Sequence, residues 1–232
     1  MIYQVNSVFI IFMYIFIADI HIRPDVEADK ENFISWLDYV SPYATKIYIL
    51  GDLFEYWYTG IEKHVDNVIE ALSHSDIHIL PGNRDFLMRD YTHKNIDIIT
   101  KEEIIFNIYG KEVLIAHGHT LTTGDIGFKL LHRFGWPVLR LIDKLLPAAI
   151  KQMCATFMVN SSAAIRTPSS DIPGDIALRR GVDKVVCAHL HRGIMTDRLI
   201  VLPSFIDNRA WMEWDENGPR FRSLYKKKGN SE

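Results

Sequence analysis

The chain has 232 residues, a formal net charge of -3 at pH 7 and a hydrophobic content of 48%. This length fits one domain with an insertion better than two independent domains, and the apolar content allows a sizeable core. The slightly acidic balance argues against a nucleic-acid-binding protein that depends on bulk positive charge. The two cysteines form no CxxC zinc pattern, which indicates a reducing compartment.

The first part of the chain alternates predicted strands with predicted helices. An apolar run at residues 8–17 is too short to span a bilayer, and we interpret it as leading into a buried strand. Strands and helices alternate, in chain order, at residues 14–18, 32–40, 46–50, 62–73 and 77–80. This alternation indicates parallel pairing of the early strands.

The second part of the chain does not continue this alternation of strands and helices. It begins with a predicted hairpin at residues 104–116, which turns at Tyr109-Gly110. A helical stretch with breaks at Pro137 and Pro147 is predicted at residues 125–175. Two strands follow at residues 184–188 and 199–202, and the end of the chain at 209–225 contains a turn at Asn217-Gly218. With antiparallel additions from these later strands, we expect an α/β sandwich of two mixed sheets with flanking helices.

Metal-binding residue types follow each of five predicted strands. They are Asp19, His21, Asp52, Asn83, His117, His189 and His191. Taken singly, each motif is equally well explained by a turn, a surface loop or a solvated pair of histidines. Their repetition after successive apolar runs favours one site, because ligands of α/β sheets gather outside the carboxyl ends of the strands.

The chemistry of this donor set indicates two metal ions. Imidazole, carboxylate and amide oxygen suit divalent Mn, Fe, Zn or Mg. Seven ligands are too many for one tetrahedral zinc. They suit two ions roughly 3.5–4 Å apart with a bridging carboxylate, which can generate hydroxide near neutral pH and neutralise phosphate oxygens. The sequence therefore predicts a two-metal phosphoesterase.

In this order, the motifs DxH, GD, GNRD, HG and HxH resemble the calcineurin-like metallophosphoesterase superfamily over nearly the whole chain. The resemblance implies a single domain over residues 1–232, built as a four-layer αββα sandwich; the helical stretch at about 125–175 resembles the inserted lid of one narrower family within this superfamily. It implies a first ion bound by Asp19, His21, Asp52 and His191. It implies a second ion bound by Asp52, Asn83, His117 and His189, with Asp52 as the bridge.

A narrower resemblance is carried by the runs GDLFEYW at residues 51–57 and GNRDFL at residues 82–87. They look like the UDP-2,3-diacylglucosamine pyrophosphohydrolases of lipid A biosynthesis. This resemblance implies hydrolysis of UDP-2,3-diacylglucosamine to UMP and 2,3-diacylglucosamine 1-phosphate with two divalent ions, most readily manganese. It also implies a lipid-linked nucleotide-sugar substrate and peripheral contact with an anionic membrane surface, the cytoplasmic face of the inner membrane.

Arg84 occupies the position at which many superfamily members carry a histidine that is usually assigned as a general acid. A diphosphate leaving group is a phosphate monoester with a second pKa of roughly 6, so it departs without a proton. A guanidinium that binds phosphate oxygens is then more useful. We interpret Arg84 as catalytic and substrate-binding, beside Asp52 and Asn83; an ion pair with Asp85 or another acid is the alternative. Asp85 is expected to hold a histidine or the loop rather than a metal.

The remaining substrate-binding candidates lie after His117. They are His119, Lys151, Asn160, Ser161 and Arg166. His119 stands where the narrower family usually has Asp, and it is open to a role as ligand, phosphate contact or filler. Asn160, Ser161 and Arg166 resemble the lid segment that contacts sugar and phosphate. The apolar stretch at residues 130–158 fits either ordinary helix core or a lipid-facing cleft.

Two other functions remain consistent with the sequence. One is a metal-dependent phosphodiesterase or phosphatase that acts on a smaller, soluble phosphoester. The other is a non-catalytic module that keeps the fold as a binding scaffold. The complete set of seven donors argues against the second of these, because decayed members commonly lose ligands.

Overall fold

The computed structural model describes residues 12–123, 135–147, 149–156 and 171–224. Its first sheet contains β1 (Tyr14–Ile17), β2 (Lys46–Ile49), β3 (Ile77–Ile79), β4 (Asp97–Ile98), β10 (Ala210–Asp215) and β11 (Gly218–Ser223). Its second sheet contains β5 (Glu103–Ile108), β6 (Lys111–Ala116), β7 (Lys184–Cys187), β8 (Ile194–Met195) and β9 (Leu199–Val201). The strand orders are β11-β10-β1-β2-β3-β4 and β5-β6-β7-β9-β8.

Both sheets are mixed, as expected. Strands β1 to β4 pair in parallel, which confirms the prediction from the early strand–helix alternation. The later strands are antiparallel in the pairs β1–β10, β10–β11, β5–β6 and β8–β9. The expectation is wrong for β7, which pairs in parallel with β6 and β9. The connections on either side of β7 are long enough to return the chain for parallel pairing.

Helices flank the sheets. They are α1 (Glu27–Val40), α2 (Asp66–Leu72), α3 (Trp136–Leu145), α4 (Ile176–Arg180) and α5 (Phe205–Asn208), with 3-10 helices at Ile61–His64 and Phe86–Asp90 and a further helical segment at 149–156. The single helix predicted at 62–73 is divided at Val65, whose φ of -133° is not helical. Pro137 lies in the first turn of α3, where a proline costs no hydrogen bond, and α3 ends before Pro147.

Alternating side chains of the strands explain the layers. In β1, Ile15 belongs to the apolar cluster that includes α1 and α2, whereas Phe16 belongs to the cluster between the sheets. In β7, Val186 joins the same inter-sheet cluster, whereas Cys187 packs in a third cluster with Ile176 of α4. The two sheets therefore pack against each other with helices outside both, which confirms the α/β sandwich of four layers.

Two features of this architecture concern one edge of the sandwich. The carboxyl ends of the parallel neighbours β1, β2 and β3 in one sheet, and β6 and β7 in the other, lie at the same edge of the sandwich. Near this edge the Thr123 amide donates to the Asp171 carbonyl at 3.0 Å. This hydrogen bond brings Thr123 and Asp171 together, although 47 residues lie between them in the sequence. Among the described residues, no helix has the length and apolar content needed to cross a membrane.

Candidate metal centre

The predicted donors meet where the two sheets come together. Asp52 lies centrally, with Oδ2 at 3.9 Å from His21 Nε2 and 3.6 Å from His117 Nε2. On one side, His21 Nε2 lies 3.3 Å from His191 Nε2. On the other, His117 Nε2 lies 3.0 Å from Asn83 Oδ1. A carboxylate between two groups of donors is the arrangement expected of a bridging ligand.

Asp19 and His189 complete the group. Asp19 Oδ1 lies 3.7 Å from His191 Nε2, and Asp19 Oδ2 accepts a hydrogen bond of 3.2 Å from the His189 amide. The His189 ring lies 5.2 Å from that of His117. Donor atoms of Asp19 converge within 4.8 Å both with His21 and His191 and with Asp52 and His117. Asp19 therefore reaches both groups, whereas the resemblance places it with the first ion alone.

Strained backbone is concentrated at these donors. Seven non-glycine residues of the described chain have positive φ, and five of them are predicted ligands. These five are Asp19, His21, Asp52, His189 and His191, with φ of 51°, 54°, 52°, 73° and 54°. A left-handed non-glycine residue costs on the order of 1–3 kcal/mol and persists only where its surroundings determine it. The strand ends are thus bent so that the side chains point into one space.

Two glycines allow the strand ends to come this close. A Cβ on Gly51, whose φ is +87°, would lie 2.3 Å from His117 Nδ1. A Cβ on Gly82 would lie 2.2 Å from Asp52 Oδ1 and 2.6 Å from the Asp52 amide nitrogen. Any side chain at either position would displace a predicted donor.

Each of three imidazoles has a close polar partner at Nδ1. His21 Nδ1 lies 2.8 Å from Glu55 Oε2, His191 Nδ1 lies 3.0 Å from Asp207 Oδ2, and His117 Nδ1 donates to the Leu50 carbonyl at 2.8 Å. These contacts leave every Nε2 directed at the centre, which is the usual way in which a metal-binding imidazole is held.

The electrostatics of the site fit a cation. Burial, followed by the charge of Asp52, raises the pKa of Asp19 well above its ordinary value. Asp19 Oδ1 is buried and has no hydrogen-bond donor among the described residues. Burial lowers the pKa of His117 to about 4, so its Nε2 is an unprotonated acceptor at neutral pH. Buried carboxylates side by side, with imidazole nitrogens directed at them, suit divalent metal ions.

Glu55 also contacts Arg84. Arg84 Nη1 lies 3.2 Å from Glu55 Oε1, and the Arg84 amide donates to Asp52 Oδ1 at 2.9 Å. The partner of the guanidinium is therefore another acid and not Asp85. Asp85 is buried and accepts hydrogen bonds from the amides of Leu53, Phe54 and Gly82, at 2.8, 3.2 and 2.7 Å. This confirms that Asp85 holds the loop, while phosphate binding by Arg84 stays a prediction.

The other predicted substrate contacts are less close to the centre. His119 is buried beside His117, and its Nε2 lies 3.3 Å from Glu102 Oε2. Lys151 Nζ donates to the Thr59 carbonyl at 3.1 Å and lies 3.4 Å from Asp143. Substrate binding by His119 and Lys151 stays a prediction. Asn160, Ser161 and Arg166 lie outside the described residues.

Three carboxylates around the site were missed by sequence reasoning. Glu55 lies within the GDLFEYW run, where its position three residues after Asp52 was the available signal. Glu102 and Asp207 have no such signal, because each reaches its histidine from a distant part of the sequence: Glu102 precedes β5, and Asp207 lies in α5.

The sequence of this chain is similar to those of known phosphoesterases. The family model of calcineurin-like phosphoesterases matches residues 12–193. A UDP-2,3-diacylglucosamine hydrolase of Photorhabdus laumondii is 29% identical over 195 residues, which cover 77% of this chain and 81% of the relative. A protein of the same name from Histophilus somni is 30% identical over 195 residues, covering 76% and 83%. The solved structure of Vacuolar Protein Sorting 29 from Cryptosporidium parvum is 12% identical, with a TM-score of 0.48 and coverage of 93% of each chain.

Proposed function

The chain belongs to the calcineurin-like phosphoesterase family and is a metal-dependent hydrolase, and from that premise we propose that it cleaves the diphosphate of UDP-2,3-diacylglucosamine. The products are UMP and 2,3-diacylglucosamine 1-phosphate, and the reaction belongs to lipid A biosynthesis. Relatives named UDP-2,3-diacylglucosamine hydrolase, about as long as this chain and matched over most of their length, support this substrate.

The convergence of six donor side chains about Asp52 is the observation that carries the proposal. Asp19, His21 and His191 would hold the first divalent ion, Asn83, His117 and His189 would hold the second, and Asp52 would serve both. We propose manganese as the metal. When bound, such ions supply hydroxide near neutral pH and neutralise phosphate oxygens.

The residues around the donors prepare the site for a diphosphate. Glu55 and Asp207 fix the rings of His21 and His191, so these ligands keep one orientation. Arg84 carries a permanent charge at the edge of the site and exchanges Glu55 for phosphate oxygens when substrate binds. No histidine follows Asn83, which suits a leaving group that departs without a proton.

The segment from about 125 to 175 is proposed as the lid insertion. Its ends are joined by the Thr123–Asp171 hydrogen bond. Within it, Val138, Leu141 and Leu145 recur at helical spacing and are 54%, 59% and 72% exposed. We propose that this apolar side of α3 contacts acyl chains and an anionic membrane surface, on the cytoplasmic face of the inner membrane.

The proposal is tested by comparing three substrates. Manganese-loaded protein is incubated with UDP-2,3-diacylglucosamine, an aryl phosphodiester and an aryl phosphomonoester. We expect release of UMP from the first, and no UMP from an Asp52→Asn variant. In water enriched in oxygen-18, the label should enter UMP, since water attacks the phosphorus on the uridine side. Turnover of the small esters alone would favour a phosphodiesterase or phosphatase, and turnover of none would favour the binding module.

A further inference from the structure

A second polar cluster, with two of its three side chains buried and the third partly buried, lies beside the Asn83 and His117 half of the site, and the reaction proposed above does not use it. It consists of Arg89, Glu102 and His119, here called the arginine cluster. Arg89 is 7% exposed and His119 is 1% exposed. Both guanidinium nitrogens Nη1 and Nη2 pair with the Glu102 carboxylate, the latter at 2.8 Å, and Glu102 Oε2 lies 3.3 Å from His119 Nε2.

This cluster reaches the predicted donors by two routes. His119 follows His117 by two residues, and their rings lie 5.4 Å apart. Arg89 Nη2 also donates to the Pro81 carbonyl at 2.9 Å, at the start of the loop that continues to Asn83. Through Arg89 and His119, Glu102 therefore fixes the chain next to the predicted donors Asn83 and His117.

The charge of Glu102 is what joins the cluster. Burial opposes its ionisation, but hydrogen bonds from His119 and Arg89 hold the pKa of Glu102 far below its ordinary value. A charge-assisted, two-nitrogen contact of this kind fixes geometry more firmly than a neutral hydrogen bond. A neutral side chain of the same shape would loosen both routes at once.

Trp136, the first residue of α3, covers the cluster. Its ring stacks on Phe86 at 4.2 Å with planes 10° apart, and the Arg89 guanidinium carbon lies 5.2 Å from its centre. The His119 ring lies 5.7 Å away. The residue that begins the described part of α3 thus packs on the groups that border the second ion's ligands.

We propose that Arg89, Glu102 and His119 are positioning residues for the second metal ion, and that packing of Trp136 on them makes binding of that ion depend on the docking of α3. This inference rests on the proposed two-ion function. It gives His119, which stands where the narrower family usually has Asp, a role other than that of a metal ligand or a substrate contact.

The test is a calorimetric titration of metal-free protein with Mn²⁺ alone. Glu102→Gln should weaken one of the two binding steps by roughly 10–100-fold and leave the other within about twofold. Glu103→Gln is the matched control, because Glu103 pairs with Arg180 instead; it should change neither step. In a His191→Asn background, which removes a donor from the first group, Glu102→Gln should still weaken the remaining step.

Each outcome separates this inference from the function on which it rests. Wild-type protein that binds fewer than two ions would contradict the two-ion function itself. Two ions in the wild type, with Glu102→Gln equal to Glu103→Gln, would overturn only the positioning role. His119→Asn keeps the Arg89–Glu102 pair, so it guards against misfolding; normal binding of the second ion in that variant would overturn the proposal as well.

The tryptophan provides a second, independent readout. Trp136→Ala should weaken the same binding step as Glu102→Gln, whereas Trp136→Phe, which keeps an aromatic ring on Phe86, should restore most of the affinity. If Trp136→Ala and Trp136→Phe bind the second ion as the wild type does, the dependence on α3 is wrong.

Discussion

At the scale of single residues, Glu55 has two partners. Its Oε2 lies against His21 Nδ1 and its Oε1 against Arg84 Nη1. Burial alone would lower the pKa of His21, but the hydrogen bond with Glu55 and the charges of Asp52 and Asp19 raise it to about 9. The same carboxylate thus contacts a predicted metal ligand and keeps a cation, the Arg84 guanidinium, beside it.

Replacing that cation is the first prediction. Arg84→Ala should lower kcat/KM for the diphosphate substrate on the order of a hundredfold, because the guanidinium stabilises charge on the phosphate oxygens. Metal content, measured by elemental analysis, should remain full. Arg179→Ala, at an exposed ion pair on α4, is the control. Unchanged kinetics in Arg84→Ala would remove its phosphate-binding role and leave the pair with Glu55 as its function.

The second prediction concerns the close approach at Gly82. In Gly82→Ala the new Cβ would lie 2.2 Å from Asp52 Oδ1, so Asp52 must move and the shared carboxylate is misplaced. We expect loss of at least one Mn²⁺-binding step and a lower Tm. Gly174→Ala is a matched control, since nothing lies within 4 Å of its added Cβ and its φ is not positive. Equal metal binding in the two variants would contradict this account.

The candidate ligands could be predicted at this scale because each lies in a short motif that directly follows a strand. The residues that orient these ligands could not be predicted from the sequence. Asp207 lies 16 residues from His191 and in a different element, and it contacts the ring only after the second sheet has folded against the first. Local patterns carry no information on such pairings. The sequence likewise does not distinguish Asp85 from other acids as the partner of Arg84, and the folded structure shows that the partner is Glu55.

At the scale of elements, α3 is fastened to the body by a buried carboxylate. Asp143 accepts from the Thr59 amide at 3.1 Å and from Thr59 Oγ1 at 2.6 Å. Lys151 from the next helical segment contacts both Asp143 and the Thr59 carbonyl. These contacts, with Trp136 at the other end of the helix, fix α3 at two places.

Removing the carboxylate is the third prediction. Asp143→Ala leaves the Thr59 donors and Lys151 without it, and we expect the free energy of unfolding to fall by about 1–3 kcal/mol. Urea denaturation measures this change, and protease cleavage within α3 should become faster. Asp38→Ala, at an exposed position of α1, should have little effect. Equal stability of the two variants would show that Asp143 does not fasten the helix.

Elements with a distinct apolar pattern could be predicted from the sequence, and very short elements without one could not. Strands β1, β2, β3, β6, β7 and β9 are buried apolar runs, and α1 has a clear apolar side. Strands β4 and β8 have two residues each, and α5 has four, so no periodicity can develop in them. The helix predicted at 62–73 kept its apolar spacing through Val65, where only the backbone reveals the break.

At the scale of the whole molecule, the catalytic edge and the apolar side of α3 belong to one functional surface in the proposed reaction. The fourth prediction follows from this arrangement. Leu141→Gln with Leu145→Gln should reduce cosedimentation with vesicles that contain anionic lipid, because both side chains are exposed and apolar. Hydrolysis of a short-chain, soluble analogue of the substrate should be unchanged.

The matched control for that experiment is Leu178→Gln. Leu178 is 61% exposed on α4, outside the proposed insertion. If Leu178→Gln lowers vesicle binding as much as the double variant does, the attraction is unspecific. If none of these variants changes vesicle binding, contact of α3 with the membrane is wrong.

The hydrogen bond between Thr123 and Asp171 has a consequence for how this architecture diversifies. A segment whose two ends are already held together can change length at little entropic cost, since doubling a flexible loop costs only about 0.6 kcal/mol. The seven predicted ligands lie on strand ends outside the segment, so a change in its length leaves their side chains in place, whereas Trp136 on the arginine cluster belongs to the segment. Related chains can therefore acquire new substrates by exchanging the inserted segment, provided that the new segment also covers the arginine cluster.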